Sequence, residues 1–238
     1  MTRILAIETS TELATAAILT DSGIFVRELS GVQTHSQGIL PAIQALLVEA
    51  GVRLQDCDAI AFGCGPGAFT GIRTACGIVQ GLAYGADLPV VPVVSLLAMA
   101  EAAREQVAAN EFVCILDARM NEVYWAQYRF GDAGWTEVSA PALTGLASAL
   151  AAITLENPQL VLGNGLVLPE SEQTRYSSLP SLSCMPHAKQ VGILGRLDFA
   201  AGRGLPADQA QPLYLRNKIA LTTAEREQVK LQAAKASA

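Results

Sequence analysis

An apolar run, Ala59-Ile60-Ala61-Phe62, passes directly into Gly63-Cys64-Gly65-Pro66-Gly67-Ala68-Phe69-Thr70-Gly71-Ile72-Arg73, and a helical pattern follows. Glycine admits backbone conformations closed to other residues, so the chain can turn sharply here from strand to helix. The first amides of the new helix have no partner within it. Such a joint can hold an anion, offer a surface to another protein, or serve only as a tight connection in an α/β protein. Two phosphate fingerprints are missing. No Lys follows as G-x-x-x-x-G-K-[ST] requires, and Thr70 stands where the third glycine of G-x-G-x-x-G would fall counting from Gly65.

Around this joint, strand and helix patterns alternate, which predicts an α/β fold. Strands are expected at 3–7, 14–20, 25–29, 59–62 and 89–94. A helix starting near Thr34 or Ser36 carries Ile39, Leu40, Ile43, Leu46, Leu47 and Ala50 on one face, with Gly51 as its stop. Pro41 falls in its early turns. A second helix over 70–84, stopped by Gly85, bears Gly77, Gly81 and Gly85 at four-residue spacing. Each glycine costs such a helix about 1 kcal/mol against Ala, so the stripe implies that another backbone packs close to it. A third helix runs from Ser95 to about 109.

The pattern then restarts. Strands at 112–116 and 122–128 flank Asp117-Ala118-Arg119, and a gapless overlay on residues 3–17 sets Asp117 on Glu8 and Val123 on Ala14. An internal duplication follows, each half opening with a hairpin around an acidic turn. Further on come a helix over 144–153, a strand at 160–162 entering Gly163-Asn164-Gly165, and a helix over 189–201. The division expected is a lobe over 1–110, a second over 111–217, and a terminal helix or tail over 218–238, fraying from about 233.

With 238 residues, 51% of them hydrophobic, the chain can bury a sizeable aliphatic core. Its longest apolar candidate for a membrane span, 88–100, is split by Pro89 and Pro92, and no signal peptide is seen. A cytoplasmic protein with reduced thiols is expected. The net charge of −6 disfavours solitary binding to nucleic acid. The five cysteines form no C-x-x-C pair, and Cys64 has no neighbouring His in sequence, so it is taken as loop filler rather than a nucleophile.

G-P-G-x-F-T-G-x-R resembles the signature of the TsaB (YeaZ) family. So do the opening strand with Glu8-Thr9-Ser10, the stretch His35-Ser36-Gln37-Gly38-Ile39-Leu40-Pro41, Asp117-Ala118-Arg119-Met120-Asn121-Glu122-Val123-Tyr124, and Pro212-Leu213-Tyr214-Leu215-Arg216. The resemblance implies a two-lobed actin/Hsp70/sugar-kinase-like fold. In that superfamily, acidic hairpin turns hold Mg²⁺ near nucleotide phosphates, which here implies a cleft with Glu8, Thr9, Ser10, Asp117 and Arg119. No lysine-bearing phosphate loop accompanies them, and Gly163-Asn164-Gly165 lacks the adjacent glycines of an adenosine site, so that cleft is read as degenerate. The related TsaD carries a metal-binding H-x-x-x-H pair. Here His35 is followed four residues on by Ile39, which cannot ligate. No H-E-x-x-H or G-x-S-x-G supports a protease.

The resemblance therefore implies a non-catalytic subunit in the formation of N6-threonylcarbamoyladenosine (t6A) on tRNA. Such a subunit would bind and activate TsaD, support docking of the ATPase TsaE, form a homodimer when alone, and meet tRNA only within the complex. It would have no cofactor of its own, with ATP or ADP placed at the TsaB–TsaD interface. The interface residues implied are His35, Ile39, Ile43, Leu46, Gly65, Pro66, Gly67, Phe69, Thr70, Arg73, Gly77 and Gly81. The competing expectation is an ATPase or small-molecule kinase of the same superfamily using Glu8 and Asp117.

Overall fold

The computed structural model describes residues 2–29 and 35–216, His35 by its backbone alone. It contains two five-stranded sheets of the same topology. In the first, β1 (Ile4–Glu8), β2 (Ala14–Thr20) and β3 (Gly23–Leu29) form an antiparallel meander, while β4 (Ala59–Gly65) and β5 (Val90–Val94) run parallel to β1 on its other side. The second repeats this with β6 (Glu111–Asp117), β7 (Glu122–Gly131) and β8 (Gly134–Gly145) antiparallel, then β9 (Gln159–Gly163) and β10 (Ser181–Ser183) parallel. The inferred duplication is thus a property of the fold, although the gapless overlay needs one correction. Glu8 pairs with Thr15 but Asp117 with Val123, so the second turn is one residue shorter.

The helices differ more than the sheets. Between β3 and β4 lies α1 (His35–Ala50), and between β4 and β5 lies α2 (Phe69–Ala86). Their counterparts, α4 (Leu146–Ala151) and α5 (Glu170–Arg175), are only six residues each. After each sheet comes a longer helix, α3 (Ser95–Arg104) and α6 (Ala188–Ala200). Both lie in the middle of the molecule. Leu5 and Ile7 of β1 pack under α1 and α2, while Ile4 and Ala6 pack with Ala188, Val191 and Leu194 of α6. Residues Leu96, Met99 and Ala103 of α3 cover Phe112, Cys114 and Leu116 of the second sheet. A strand buried on both faces has no polar side to alternate with, which is why β1 reads as an unbroken apolar run.

Several boundaries depart from the sequence expectation. Gly85 lies inside α2, and the stop is Asp87, left-handed at φ 53° and donating its amide to the Ala83 carbonyl. The third helix ends at Arg104, well before 109. Residues 134–145, where no strand was expected, form β8, and the helix expected from 144 begins at Leu146. Pro41 is accommodated within α1. Thr34 and the tail over 218–238 lie outside the described residues.

Candidate functional site

The glycine joint and the first hairpin turn are built into one another. Glu8 is fully buried. Its Oε1 accepts from the Ser10 amide at 2.6 Å and its Oε2 from Ser95 Oγ at 2.8 Å. Burial pushes this carboxyl above the ordinary carboxylate range, against the opposing hydrogen bonds from Ser10 and Ser95. Gly63 lies directly against it, where a Cβ would fall 1.9 Å from Glu8 Oε2. Next along the turn, Thr9 Oγ1 donates to the Gly71 carbonyl at 2.7 Å, and the Ala68 amide donates to the Ser10 carbonyl at 2.6 Å. A Cβ on Gly67 would sit 2.3 Å from the Ser10 carbonyl oxygen, and one on Gly71 only 1.9 Å from that of Thr9. The loop glycines are therefore required by the chain's own first turn.

In consequence Glu8, Thr9 and Ser10, expected in the cleft, lie behind its wall. The cleft itself is a cavity of about 690 Å³ between the two halves. On one side are Phe69 and Thr70 at the start of α2, on the other Asp117 and Arg119, with Tyr214 and Arg216 at the rim. Two residue groups that the sequence kept apart, the glycine loop and the Asp-Ala-Arg turn, thus face each other across one space. Asn164, left-handed at φ 56°, also reaches it.

The second turn is open where the first is sealed. Asp117 Oδ1 accepts from the Arg119 amide at 2.9 Å, and Oδ2 lies 3.2 Å from the Arg119 guanidinium. That guanidinium also reaches Glu12 of the first half at 2.8 Å. Arg119, Met120 and Asn121 are all left-handed, at φ 64°, 59° and 60°. For non-glycine residues this conformation costs about 1–2 kcal/mol each, so the turn needs support from outside. It comes from Arg216, whose guanidinium donates to Glu122 Oε2 at 2.7 Å and to the Ala118 carbonyl at 3.1 Å. Hydrogen bonds to a charged group contribute roughly 1.5–3 kcal/mol each, which matches the size of the strain.

The expected interface residues divide into three sets. Ile39, Ile43 and Leu46 are corrected to core, being 0–2% exposed beneath the first sheet. Burial of each stabilises this chain by about 1.5–3 kcal/mol and leaves nothing for a partner to touch. Gly77 and Gly81 are exposed, and a Cβ on either would meet nothing within 4 Å. Among the described residues, no backbone packs on that stripe. The loop forms the third set. Gly65 is left-handed at φ 107° and Pro66 follows it through a cis peptide bond. Arg73 stacks on Phe69 at 3.8 Å from the ring centroid and donates from Nε to the Tyr214 hydroxyl at 2.6 Å. His35 opens α1, its side chain lying outside the described set.

Sequence reasoning did not assign Glu12, Tyr214 or Arg216 to the site. Tyr214 and Arg216 were visible in the Pro-Leu-Tyr-Leu-Arg stretch, but 94 or more residues separate them from the groups they bind. Cys64 is buried, and burial together with the nearby Glu8 charge pushes its thiol up to about 12, the opposite of an activated nucleophile. Among the described residues no three His, Cys, Asp or Glu side chains form a metal-binding group, and no helix is long and apolar enough to cross a membrane.

A family profile described as "TsaD: tRNA N6-adenosine threonylcarbamoyltransferase" matches residues 17–175. The Haemophilus influenzae tRNA threonylcarbamoyladenosine biosynthesis protein TsaB is 37% identical over 91% of this chain and 94% of its own length. Its Escherichia coli namesake is 36% identical over 92% and 96%. The solved structure of YeaZ from Pseudomonas aeruginosa superposes with a TM-score of 0.78 at 34% identity, covering 90% of this chain and all of that one. A second Pseudomonas aeruginosa structure, described as similar to peptidase YeaZ, gives a TM-score of 0.80 at 34% identity over 91% of this chain. Two lobes with one repeated sheet topology make this the expected actin/Hsp70/sugar-kinase-like fold, and the chain belongs to the TsaB (YeaZ) family.

Proposed function

We propose that this chain takes part in t6A formation on tRNA as a non-catalytic subunit that binds and activates a TsaD-type transferase. The names of its relatives support the pathway. One observation carries the non-catalytic role: the carboxylate that would hold a phosphate-bound cation, Glu8, is fully buried and sealed by Gly63. An ATPase or kinase using Glu8 with Asp117 would need both carboxylates in the same water-filled space. Only Asp117 lies there. For binding, the outer face of α2 offers Gly77 and Gly81, with Tyr84 85% exposed beside them. Small residues let a second backbone approach closely, and a large aromatic can anchor it. That face serves TsaD in the complex and a second copy when the chain is alone. TsaE and tRNA join only the assembled complex, in the cytoplasm, and any ATP or ADP sits between the subunits.

The test is a reconstituted threonylcarbamoyl-transfer assay with TsaC-type enzyme, TsaD and TsaE, run with and without this chain, and with this chain in place of TsaD. Modification that needs both this chain and TsaD is the expected result. Turnover by this chain with TsaD omitted would overturn the proposal and return Asp117 to consideration as a catalytic group.

A further inference from the structure

Among the described residues, the two halves meet mainly in two places. One is the central layer, where α3 and α6 pack together between the sheets. The other is the segment 210–216, which crosses the mouth of the cleft. Its attachment to the first half is broad. The Ala210 carbonyl accepts from Cys76 Sγ at 3.0 Å and from Gln80 Nε2 at 2.9 Å, and the Leu213 amide donates to the Cys64 carbonyl at 2.8 Å. The Leu213 side chain joins the core beneath α2, and Tyr214 is held by Arg73. Among the described residues, its polar attachment to the second half runs through one side chain, Arg216, which donates to Glu122, to the Ala118 carbonyl and to Met120 Sδ. Among the described residues the buried Arg216 Nε has no partner, so even this anchor is incompletely satisfied there. A further polar link across the cleft, Arg119 to Glu12, is more than 70% exposed on both sides. Exposed pairs of that kind hold weakly.

We propose that residues 210–216 are an inter-lobe latch, fixed on the first half and releasable at Arg216, which sets how far the cleft opens and holds the left-handed turn at Arg119–Asn121. Unequal anchoring gives the direction of release. Opening breaks a few side-chain hydrogen bonds at one end, whereas detaching the other end would expose core. The central α3–α6 layer is then the pivot. Release frees the Ala118 carbonyl and the strained turn in the same step, so cleft width and turn conformation change together. None of this depends on which partner or reaction the chain serves.

The experiment uses the full chain with spin labels at Gln44→Cys on α1 and Glu156→Cys beyond α4, both exposed positions, the native cysteines being buried. Inter-label distances and amide exchange over 118–122 are measured in the parent, in Arg216→Ala and in the milder Glu122→Gln, which keeps the arginine but weakens its anchor. The latch predicts a longer, broader distance distribution and at least tenfold faster exchange at 118–122 in Arg216→Ala, with Glu122→Gln intermediate. If Arg216→Ala does not fold, Glu122→Gln must show both changes by itself. Faster exchange with an unchanged distance distribution would overturn the latch, leaving Arg216 as a local cap on the turn. So would no change in either measurement.

Discussion

The turns after β1 and β6 occupy the same place in a duplicated topology and carry the same kind of residue, yet they have opposite fates. Glu8 is 0% exposed, with the glycine loop packed on the turn that follows it. Asp117 opens to the cleft and is answered by Arg119. What separates them is the element laid over each. A long α2, entered through Gly63, Gly67 and Gly71, covers the first turn, while the second half has only the six-residue α5 after the equivalent strand. Duplicated topology thus preserves position without preserving chemistry, because a carboxylate's environment fixes whether it can meet a ligand.

The sharpest way to break this contrast is to add one methyl group to each half. In Gly71→Ala the new Cβ would lie 1.9 Å from the Thr9 carbonyl oxygen, a backbone atom that cannot swing aside. Overpacking typically costs 1–3 kcal/mol. Because backbone must move here, a loss of about 3 kcal/mol or more is expected, enough to remove much of a typical domain's stability. In Gly145→Ala, beside the second turn, the nearest atom would be the Asn121 carbonyl oxygen at 4.0 Å, and φ is −66°. There a change within about 0.5 kcal/mol is expected. Urea unfolding of both variants decides the matter, and comparable losses would mean that the two turns are equally enclosed.

How much of this could be read beforehand follows the range of the interactions. The β1–β2 hairpin, the strand before the glycine loop and the apolar face of α1 were legible, because periodicity and turn residues are local signals. The role of Ile39, Ile43 and Leu46 was not. One stripe of aliphatic residues suits a core or a partner equally, and only the sheet beneath it decides. β8 was missed because it is half-exposed, includes Pro141, and is defined by its register on β7. In the site, the loop and the Asp-Ala-Arg turn were visible as motifs, but their meeting across one cavity depends on tertiary contacts. Glu8 was misplaced for the same reason: sequence records a carboxylate at a turn and is silent on what covers it.

Titration offers a second, gentler test of the comparison. Glu8 holds its proton to higher pH in the folded chain than in the unfolded one. Between the ordinary carboxylate range, about 4.3 for Glu, and its own raised value, the native state therefore binds more protons than the unfolded state. Stability must fall as pH rises across that window and level off above it. Glu8→Gln should abolish this component. Its amide oxygen can still accept from the Ser10 amide, and its NH₂ can donate to Ser95 Oγ. Asp117→Asn should leave the component in place. Denaturation midpoints collected from pH 4 upward separate the two, and a pH profile unaltered by Glu8→Gln would mean that water reaches this carboxylate.

The smallest effect belongs to an ion pair that joins the two turns directly, Arg119 with Glu12. Arg119 and Glu12 approach to 2.8 Å, but their side chains are 71% and 72% exposed. Water screens the attraction, and two long side chains must be ordered to make it, so such pairs contribute about 0–1 kcal/mol. Glu12→Ala should consequently cost the chain no more than that, and the loss should shrink further when salt is raised, since the Debye length falls from about 10 Å at 0.1 M to about 3 Å at 1 M. The Arg119 guanidinium keeps Asp117 as a partner in this variant, so the second turn retains its internal tie. Measured in low and high salt, a loss well above 1 kcal/mol that salt did not diminish would show that the pair is sheltered, and with it that the second turn is nearer to the enclosure of the first than its exposure indicates.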